Sequence, residues 1–375
     1  MIYDTIIIGG GQAGLAMGYT LRQANVSFLI LEANQAAVGS WRNTYASLKL
    51  FSPIRYSSLP GLAFPGELDS YPTRDQVIDY LQQYAHHFQL PIITNAPVKQ
   101  VVGKNNRFQV ETNNGTLYQA RTIVAATGSF RKPSLPIYPN QDGYRGTILH
   151  SSAYRQPDPF AGKQVVVVGA KNSALQIAVE LAQSASVTLA ARSPVNLAPQ
   201  MIGGKDIHFW AKWTGLDTLP FGHRPKLMQK VLDESGTIDI GGFKEALASG
   251  NPNVRPMFER FTEQGVIWQD GEQTPVDAVI FATGFRPNLD YLAPLNALDH
   301  NGNPQHRLGT SSTVEGLYYM GLAGQRSLSS ATIRGVGRDA KLIGQHIERY
   351  LAGQPCCRAA AISQRLSRFT HGSIA

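Results

Sequence analysis

The stretch Thr5-Ile6-Ile7-Ile8-Gly9-Gly10-Gly11-Gln12-Ala13-Gly14 decides the fold. Four apolar, largely β-branched residues suit a strand buried on both faces of a parallel sheet. The glycines follow at once. Gly9 permits a tight turn, Gly11 lets the backbone approach a pyrophosphate, and Gly14 lets helix and strand pack closely. Leu15, Ala16, Tyr19 and Leu21 then suggest a helix, and Val26 to Leu31 a second strand closed by Glu32. The N-terminus of such a helix offers free N–H groups and partial positive charge to phosphates.

The same unit recurs 160 residues later. Val165 to Val168 is the strand, Gly169-Ala170-Lys171-Asn172-Ser173-Ala174 the turn, and Val187 to Ala191 the next strand, closed by Arg192. Ala174, Ile177, Ala178 and Leu181 share one helix face. Gly9 to Glu32 and Gly169 to Arg192 are both 23 residues. Each half then offers a hairpin and an Ala-Thr-Gly. Asn114-Gly115 separates Phe108–Thr112 from Thr116–Ala120, and Asp270-Gly271 follows Val266–Gln269. Gly115 to Ala126 and Gly271 to Ala282 are both 11 residues. Two matching intervals predict an α/β chain with two Rossmann-like dinucleotide-binding domains.

Glu32 and Arg192 occupy equivalent positions with opposite charge. A carboxylate there can accept hydrogen bonds from ribose hydroxyls and suits an adenosine with a free 2′-OH, as in FAD or NAD. A guanidinium suits a 2′-phosphate. FAD is therefore expected in the first unit and NADPH in the second, with NADH also usable because one arginine is a modest selector. Lys171 replaces the middle glycine of the second turn. Three readings stay open: a weaker or repositioned cofactor, a compensating lysine–phosphate contact, or no nucleotide.

The 375 residues are 43% apolar and 16% charged, which excludes a disordered or coiled-coil chain. No run of 18 apolar residues exists, so no spanning helix is expected. The strand pattern beginning at Tyr3 leaves no room for a signal peptide, and a cytoplasmic location is expected. Lys plus Arg exceeds Asp plus Glu, 34 against 26. That excess reads as a solvated basic surface or as attraction for anionic cofactors, with no motif for nucleic acid. Cys356 and Cys357 are adjacent and cannot form the CxxC of a dithiol reductase. Thr73 to Gln76 fits a capping box ahead of a helix with Val77, Leu81, Tyr84 and Phe88 on one face. Residues 195–260, with Trp210 and Trp213, could be a lid, an interface or ordinary structure. Val336, Ala340, Ile343, Ile347 and Leu351 mark a long helix from Ile333, and partial disorder is expected in the last twenty residues.

With these residues in view, the chain resembles the class B flavoprotein monooxygenases, in particular the bacterial flavin-containing monooxygenases, from about residue 3 to 350. Besides the two fingerprints, Tyr144-Arg145-Gly146-Thr147-Ile148-Leu149-His150-Ser151-Ser152-Ala153-Tyr154 looks like that family's signature, with Tyr for the opening Phe. Baeyer–Villiger relatives carry Trp where Tyr154 stands. Phe281-Ala282-Thr283-Gly284-Phe285 matches the segment before the return to the first domain.

The resemblance implies a glutathione-reductase-like two-domain flavoprotein with the NAD(P)H domain inserted in the FAD domain. The expected division is 1–155 and 289–355 for FAD, 156–288 for NAD(P)H, and 356–375 as tail. FAD contacts are implied at Gly9, Gly11, Gln12, Ala13, Gly14, Glu32, Gly39, Trp41, Arg42, Val98, Ala126, Thr127, Gly128, Ser329, Ala331 and Thr332. For NAD(P)H they are implied at Gly169, Lys171, Asn172, Ser173, Arg192, Ser193, Thr283 and Gly284. His150 reads as structural, holding the domain connection. Larger eukaryotic members carry an asparagine beside the flavin in the segment matching Leu50-Phe51-Ser52-Pro53. Phe51 and Ser52 stand there instead, which implies a looser hold on NADP⁺ and on the oxygenated flavin.

The implied reaction is hydride transfer from NADPH to the flavin, capture of O₂ as a C4a-hydroperoxide, and oxygenation of a small sulfur or nitrogen nucleophile. No side chain is expected to act as acid, base or nucleophile; Trp41, Phe51 and Ser52 are the flavin-proximal candidates. Alternatives are an NAD(P)H oxidase or flavin reductase releasing hydrogen peroxide, a Baeyer–Villiger-type ketone oxygenation, and a non-enzymatic redox sensor. A homodimer is left open.

Overall fold

The computed structural model describes residues 1–104, 107–220 and 236–354; Cys356, Cys357 and the expected tail lie outside them. Two parallel-cored sheets dominate. In the first, Ile2–Ile8 lies between Phe28–Leu31 and Leu117–Ala125, all parallel. Ile92–Ile93 extends one edge, and Leu317–Tyr319 the other. The hairpin Val98–Lys104 and Arg107–Thr112 joins through Leu117–Ala125, with Gly115 at φ +82° in the turn between Arg107–Thr112 and Leu117–Ala125. In the second sheet the order is Asn253–Pro256, Ser186–Ala191, Gln164–Val168, Ala278–Phe281, Thr147–His150, again parallel throughout. Thr147–His150, which precedes the expected boundary at 155, thus pairs in the second sheet.

The two copies carry the same backbone bonds, but the expected equivalence of Glu32 and Arg192 is off by one: Ile8 pairs with Leu31 and Val168 with Ala190, so Ala191 matches Glu32 and Arg192 stands one residue further on. Gly9 donates its N–H to the Leu31 carbonyl at 2.8 Å, and Gly169 to Ala190 at 2.9 Å. Ala126 donates to Ile8 and Ala282 to Val168, both at 2.8 Å. In each unit the strand ending at Ala-Thr-Gly therefore lies beside the strand that opens the glycine turn.

Alternation along the strands fills both faces. In the second sheet Val165, Val167, Leu189 and Ile280 meet the helix Asn172–Leu181. Val166, Val168, Val279 and Phe281 meet Phe258, Phe261 and Trp268 on the other side. In the first, Ile7, Ile30 and Val124 pack under the helices Gln12–Gln23, Arg74–His87 and Ile333–Leu351. The Arg74–His87 helix carries the expected reciprocal cap between Thr73 and Gln76. The long C-terminal helix buries Val336, Ala340, Ile343 and Ile347.

Candidate functional site

A groove opens at the first glycine turn. Its walls hold Gly9, Gly11, Gln12, Ala13, Glu32, Gly39, Ala126, Thr127, Gly128 and Ala331, ten of the residues expected to contact FAD. Ser40, between the expected Gly39 and Trp41, also lines it, and sequence reasoning missed Asn34, Phe130, Arg131 and Gly321. None of these lies in a motif, and Gly321 enters only because Leu317–Tyr319 joins the sheet.

The floor is backbone against backbone. A Cβ on Gly39 would stand 2.9 Å from the Gly11 Cα, and one on Gly14 would stand 1.9 Å from the Gly9 carbonyl oxygen. Glu32 is 2% exposed. One of its oxygens accepts the Gly10 N–H at 2.6 Å, and the other accepts the Asn34 N–H and Nδ2 at 2.8 and 2.7 Å. A carboxylate offers about four acceptor sites, so a ribose hydroxyl still finds one. The helix Gln12–Gln23 has no acidic residue in its first turn, leaving its positive end for phosphate.

Several expected residues stand beside the groove rather than in its lining. Gly14 lies beneath it. Trp41 donates through Nε1 to Gln12 Oε1 at 3.0 Å, and Gln12 Nε2 donates to the Ala331 carbonyl at 3.1 Å. This chain ties the Gly39–Trp41 segment to the return segment. Ala331 holds φ +71°, a strained value for a residue with a side chain, at the point where the chain turns into the C-terminal helix. Thr332 is that helix's N-cap, and its hydroxyl donates to the Ser329 carbonyl. Arg42 is exposed, and Val98 begins a strand on the face of the first sheet that Ile6, Ile8 and Ile123 fill. Glycine floor, spare carboxylate acceptor and uncompensated helix end together fit a flavin dinucleotide.

At the second turn Gly169 has φ +144°, and a Cβ there would stand 2.7 Å from the Ala282 oxygen. Lys171 adopts extended backbone as N-cap, so no glycine is required at that position. The buried Oδ1 of Asn172 has no partner among the described residues, an acceptor waiting at a helix start. Again no acidic residue occupies the first turn. Arg192 is exposed, with one Nη 3.4 Å from the Tyr138 hydroxyl, and Ser193 is exposed beside it. The Thr283 hydroxyl donates to the Ser134 carbonyl. His150 joins the two parts of this unit. Its Nδ1 accepts the Ser152 N–H at 3.1 Å, so Nε2 donates to the Gly284 carbonyl at 2.9 Å. Burial holds the His150 pKa below the ordinary histidine range. Tyr154 is fully buried, its hydroxyl donating to Glu180 at 2.8 Å.

Within 195–260, the part from Leu197 to Leu219 forms a cover. Asp217 makes a two-pronged pair with Arg334, at 2.8 and 3.0 Å, on the first turn of the C-terminal helix. The Asp217 carbonyl accepts the Ser329 hydroxyl, and the Thr218 carbonyl accepts from Arg326. Phe51 lies between cover and helix, 5.8 Å from the Arg334 guanidinium and 5.9 Å from the His208 ring. Ser52 is buried and bonded to Ser57 at 2.9 Å. Trp210 donates to the Ile202 carbonyl, whereas Trp213 is 73% exposed.

Two parallel-sheet units, each with a glycine turn at the start of a helix, define with the groove at the first turn an oxidoreductase of the flavin and nicotinamide type. Comparison with known proteins agrees. A family model described as "Pyridine nucleotide-disulphide oxidoreductase" matches residues 6–201. The "Uncharacterized oxidoreductase CzcO-like" of Geobacillus kaustophilus is 39% identical over 342 residues, 91% of this chain and 97% of that one. The "Indole-3-pyruvate monooxygenase YUCCA4" of Oryza sativa subsp. japonica is 30% identical, over 92% of this chain and 87% of that one. The flavin-containing monooxygenase from Stenotrophomonas maltophilia has a structure that superposes with a TM-score of 0.81 at 30% identity, covering 93% of this chain and 99% of that one. The chain belongs to the pyridine nucleotide-disulphide oxidoreductase family, within its flavin-monooxygenase branch. Among the described residues no helix is long and apolar enough to cross a membrane.

Proposed function

We propose that the chain is an FAD-dependent, NADPH-consuming monooxygenase that transfers one oxygen atom of O₂ to sulfur or nitrogen of a small molecule. The observation that carries this reading is the pair of glycine turns followed by opposite charge near the end of the second strand, Glu32 in the first unit and, one residue further on, Arg192 in the second. A flavin held there would supply the hydride-accepting and oxygen-activating chemistry that no side chain provides.

The protein's own part is binding, orientation and exclusion of water. Glu32 and the Gln12–Gln23 helix end hold the adenosine and pyrophosphate. Gln12, fixed by Trp41 and Ala331, sets the wall of the groove. The positive end of the Ile333–Leu351 helix has no acidic residue in its first turn and favours negative charge on the reduced ring. Arg192 selects the 2′-phosphate, and the Leu197–Leu219 cover limits water. Incubating the purified protein with NADPH and thioanisole tests the reading: sulfoxide should match coenzyme consumption.

A second reading, NAD(P)H oxidase, draws on Phe51 and Ser52. Neither side chain offers an amide, and Ser52 is already bonded to Ser57. Hydrogen peroxide without sulfoxide would favour it. A ketone oxygenase gains no support from Tyr154, whose hydroxyl is committed to Glu180.

A further inference from the structure

The stretch that joins Leu117–Ala125 to Thr147–His150 carries a hydroxyl to which the reading above gives no task. Arg192 follows directly on Ser186–Ala191, at the carboxyl end of the parallel strands where nucleotides bind such sheets. It lies one residue beyond the match to Glu32. The match itself, Ala191, has only a methyl and no carboxylate to repel a phosphate. One Nη of Arg192 donates to the Tyr138 hydroxyl oxygen at 3.4 Å. Among the described residues the Arg192 guanidinium pairs with no carboxylate, and the Tyr138 O–H finds no acceptor.

The two groups are held differently. Arg192 is exposed on a long stem, whereas Tyr138 is half-buried and fixed. The Tyr138 ring stacks on Phe281 at 6.0 Å and 14°, and meets Phe258 at 4.9 Å and Phe261 at 6.4 Å. Its backbone N–H donates to Gln141 Oε1 at 3.1 Å. Phe281 immediately precedes Ala282, whose N–H bonds to Val168 at the end of the strand that opens the second glycine turn. The phenol therefore projects from a packed aromatic cluster toward Arg192. Carboxylates on the neighbouring strands are engaged with other arginines. Asp270 and Glu272 hold Arg255, on the strand beside Ser186–Ala191. Glu259 pairs with Arg260, and Glu263 with Arg145.

We propose that Tyr138 is a second ligand of the coenzyme's 2′-phosphate. Its oxygen takes a hydrogen bond from Arg192, and its own hydrogen is donated to a phosphate oxygen. This deepens the NADPH reading and rests on it. A phosphate monoester carries close to two negative charges at neutral pH and offers three strong acceptor oxygens, so guanidinium and hydroxyl can each take one. The neutral ribose hydroxyl of NADH gains far less from the same pair, because hydrogen bonds to a charged acceptor are the strong ones. An exposed arginine alone loses side-chain freedom when it closes on a phosphate. A hydroxyl fixed by ring packing adds a donor whose position is already set.

Tyr138→Phe keeps the ring and its stacking and removes only the oxygen. Calorimetry on the flavin-loaded protein with 2′,5′-ADP and 5′-AMP reads binding without turnover. Wild type should hold 2′,5′-ADP at least about tenfold more tightly than 5′-AMP. Tyr138→Phe should weaken 2′,5′-ADP roughly tenfold, the worth of a hydrogen bond to a charged acceptor, and leave 5′-AMP within about twofold. In steady state KM for NADPH should rise by the same factor with kcat unchanged, and NADH should not respond. In an Arg192→Ala background the same substitution should still cost about threefold or more. A loss that vanishes in that background would mean that the hydroxyl acts only through the arginine, and would overturn the direct contact. Equal losses on both ligands, or none on either, would overturn it too. Wild type that binds the two ligands alike would instead overturn the NADPH reading itself.

Discussion

Replacing Gly14 by alanine adds one methyl at the point where the first helix leaves the first strand. That methyl would stand 1.9 Å from the Gly9 carbonyl oxygen and 3.0 Å from its carbon. Gly9 cannot retreat, because its own Cα faces the Ala126 carbonyl, with a built Cβ only 2.6 Å away, and its N–H is bonded to Leu31 at 2.8 Å. The helix must therefore lift by more than about 1 Å to restore van der Waals contact. That helix carries Leu15, Met17 and Leu21 in the core and the N–H groups meant for the pyrophosphate. Overpacking of this kind costs about 1–3 kcal/mol, and if carried into binding it weakens flavin retention roughly 5- to 150-fold. The flavin-to-protein absorbance ratio after gel filtration, followed by a dissociation titration, measures it. The second unit supplies the control. Ala174 already occupies the equivalent site there, its Cβ 3.0 Å from a Cβ built on Gly169. Ala174→Gly should cost only about 1 kcal/mol and leave flavin content unchanged. A Gly14→Ala protein with full flavin content and an unaltered dissociation constant would refute the close-packing argument.

Arg192→Ala should raise KM for NADPH roughly 10- to 100-fold, the worth of a charge-assisted contact, while NADH kinetics stay nearly constant; equal effects on both coenzymes would remove the arginine from the 2′-phosphate site. Asp217→Ala strands Arg334, which is 14% exposed, and should cost about 3–5 kcal/mol at the cover. A larger peroxide share of the NADPH consumed is the measurable outcome. His150, His306 and His346 all have pKa values lowered first of all by burial. Their neutral forms stabilise the fold fully above the unfolded histidine pKa, and that contribution is lost as pH falls from about 6.5 toward the depressed folded values. Melting temperature should accordingly drop between pH 7 and pH 5, and His306→Gln should flatten the slope.

The part of the fold legible in the sequence is the part set by local backbone chemistry. Glycine at positions 9 and 169 is required by positive φ and by the neighbouring carbonyl, so the turn residues announce themselves. The equal spacing from glycine to charged residue holds although the elements differ in length, with helices of 12 and 10 residues and second strands of 4 and 6. The cover was not legible, because its contacts join residues far apart in the chain. Asp217 and Arg334 are separated by 117 positions, and Tyr71 and Asp206 by 135. Neither pair lies in a recurring motif. Asn34 and Arg131 escaped for a related reason: a groove wall needs only the right place in space, and many residue types can provide it. Lys171 shows the reverse. The sequence marked it as a departure from the glycine pattern, yet its backbone is extended and accommodates a side chain without strain.

The paired glycine turns make their sharpest demand on the flavin itself. Heat release and chromatography of the pigment from freshly purified protein, with anaerobic NADPH added to a second portion, test that demand directly. One FAD per chain, bleached by NADPH, is the predicted result. A colourless chain that takes up no FAD on reconstitution, or one that carries FMN, would contradict it.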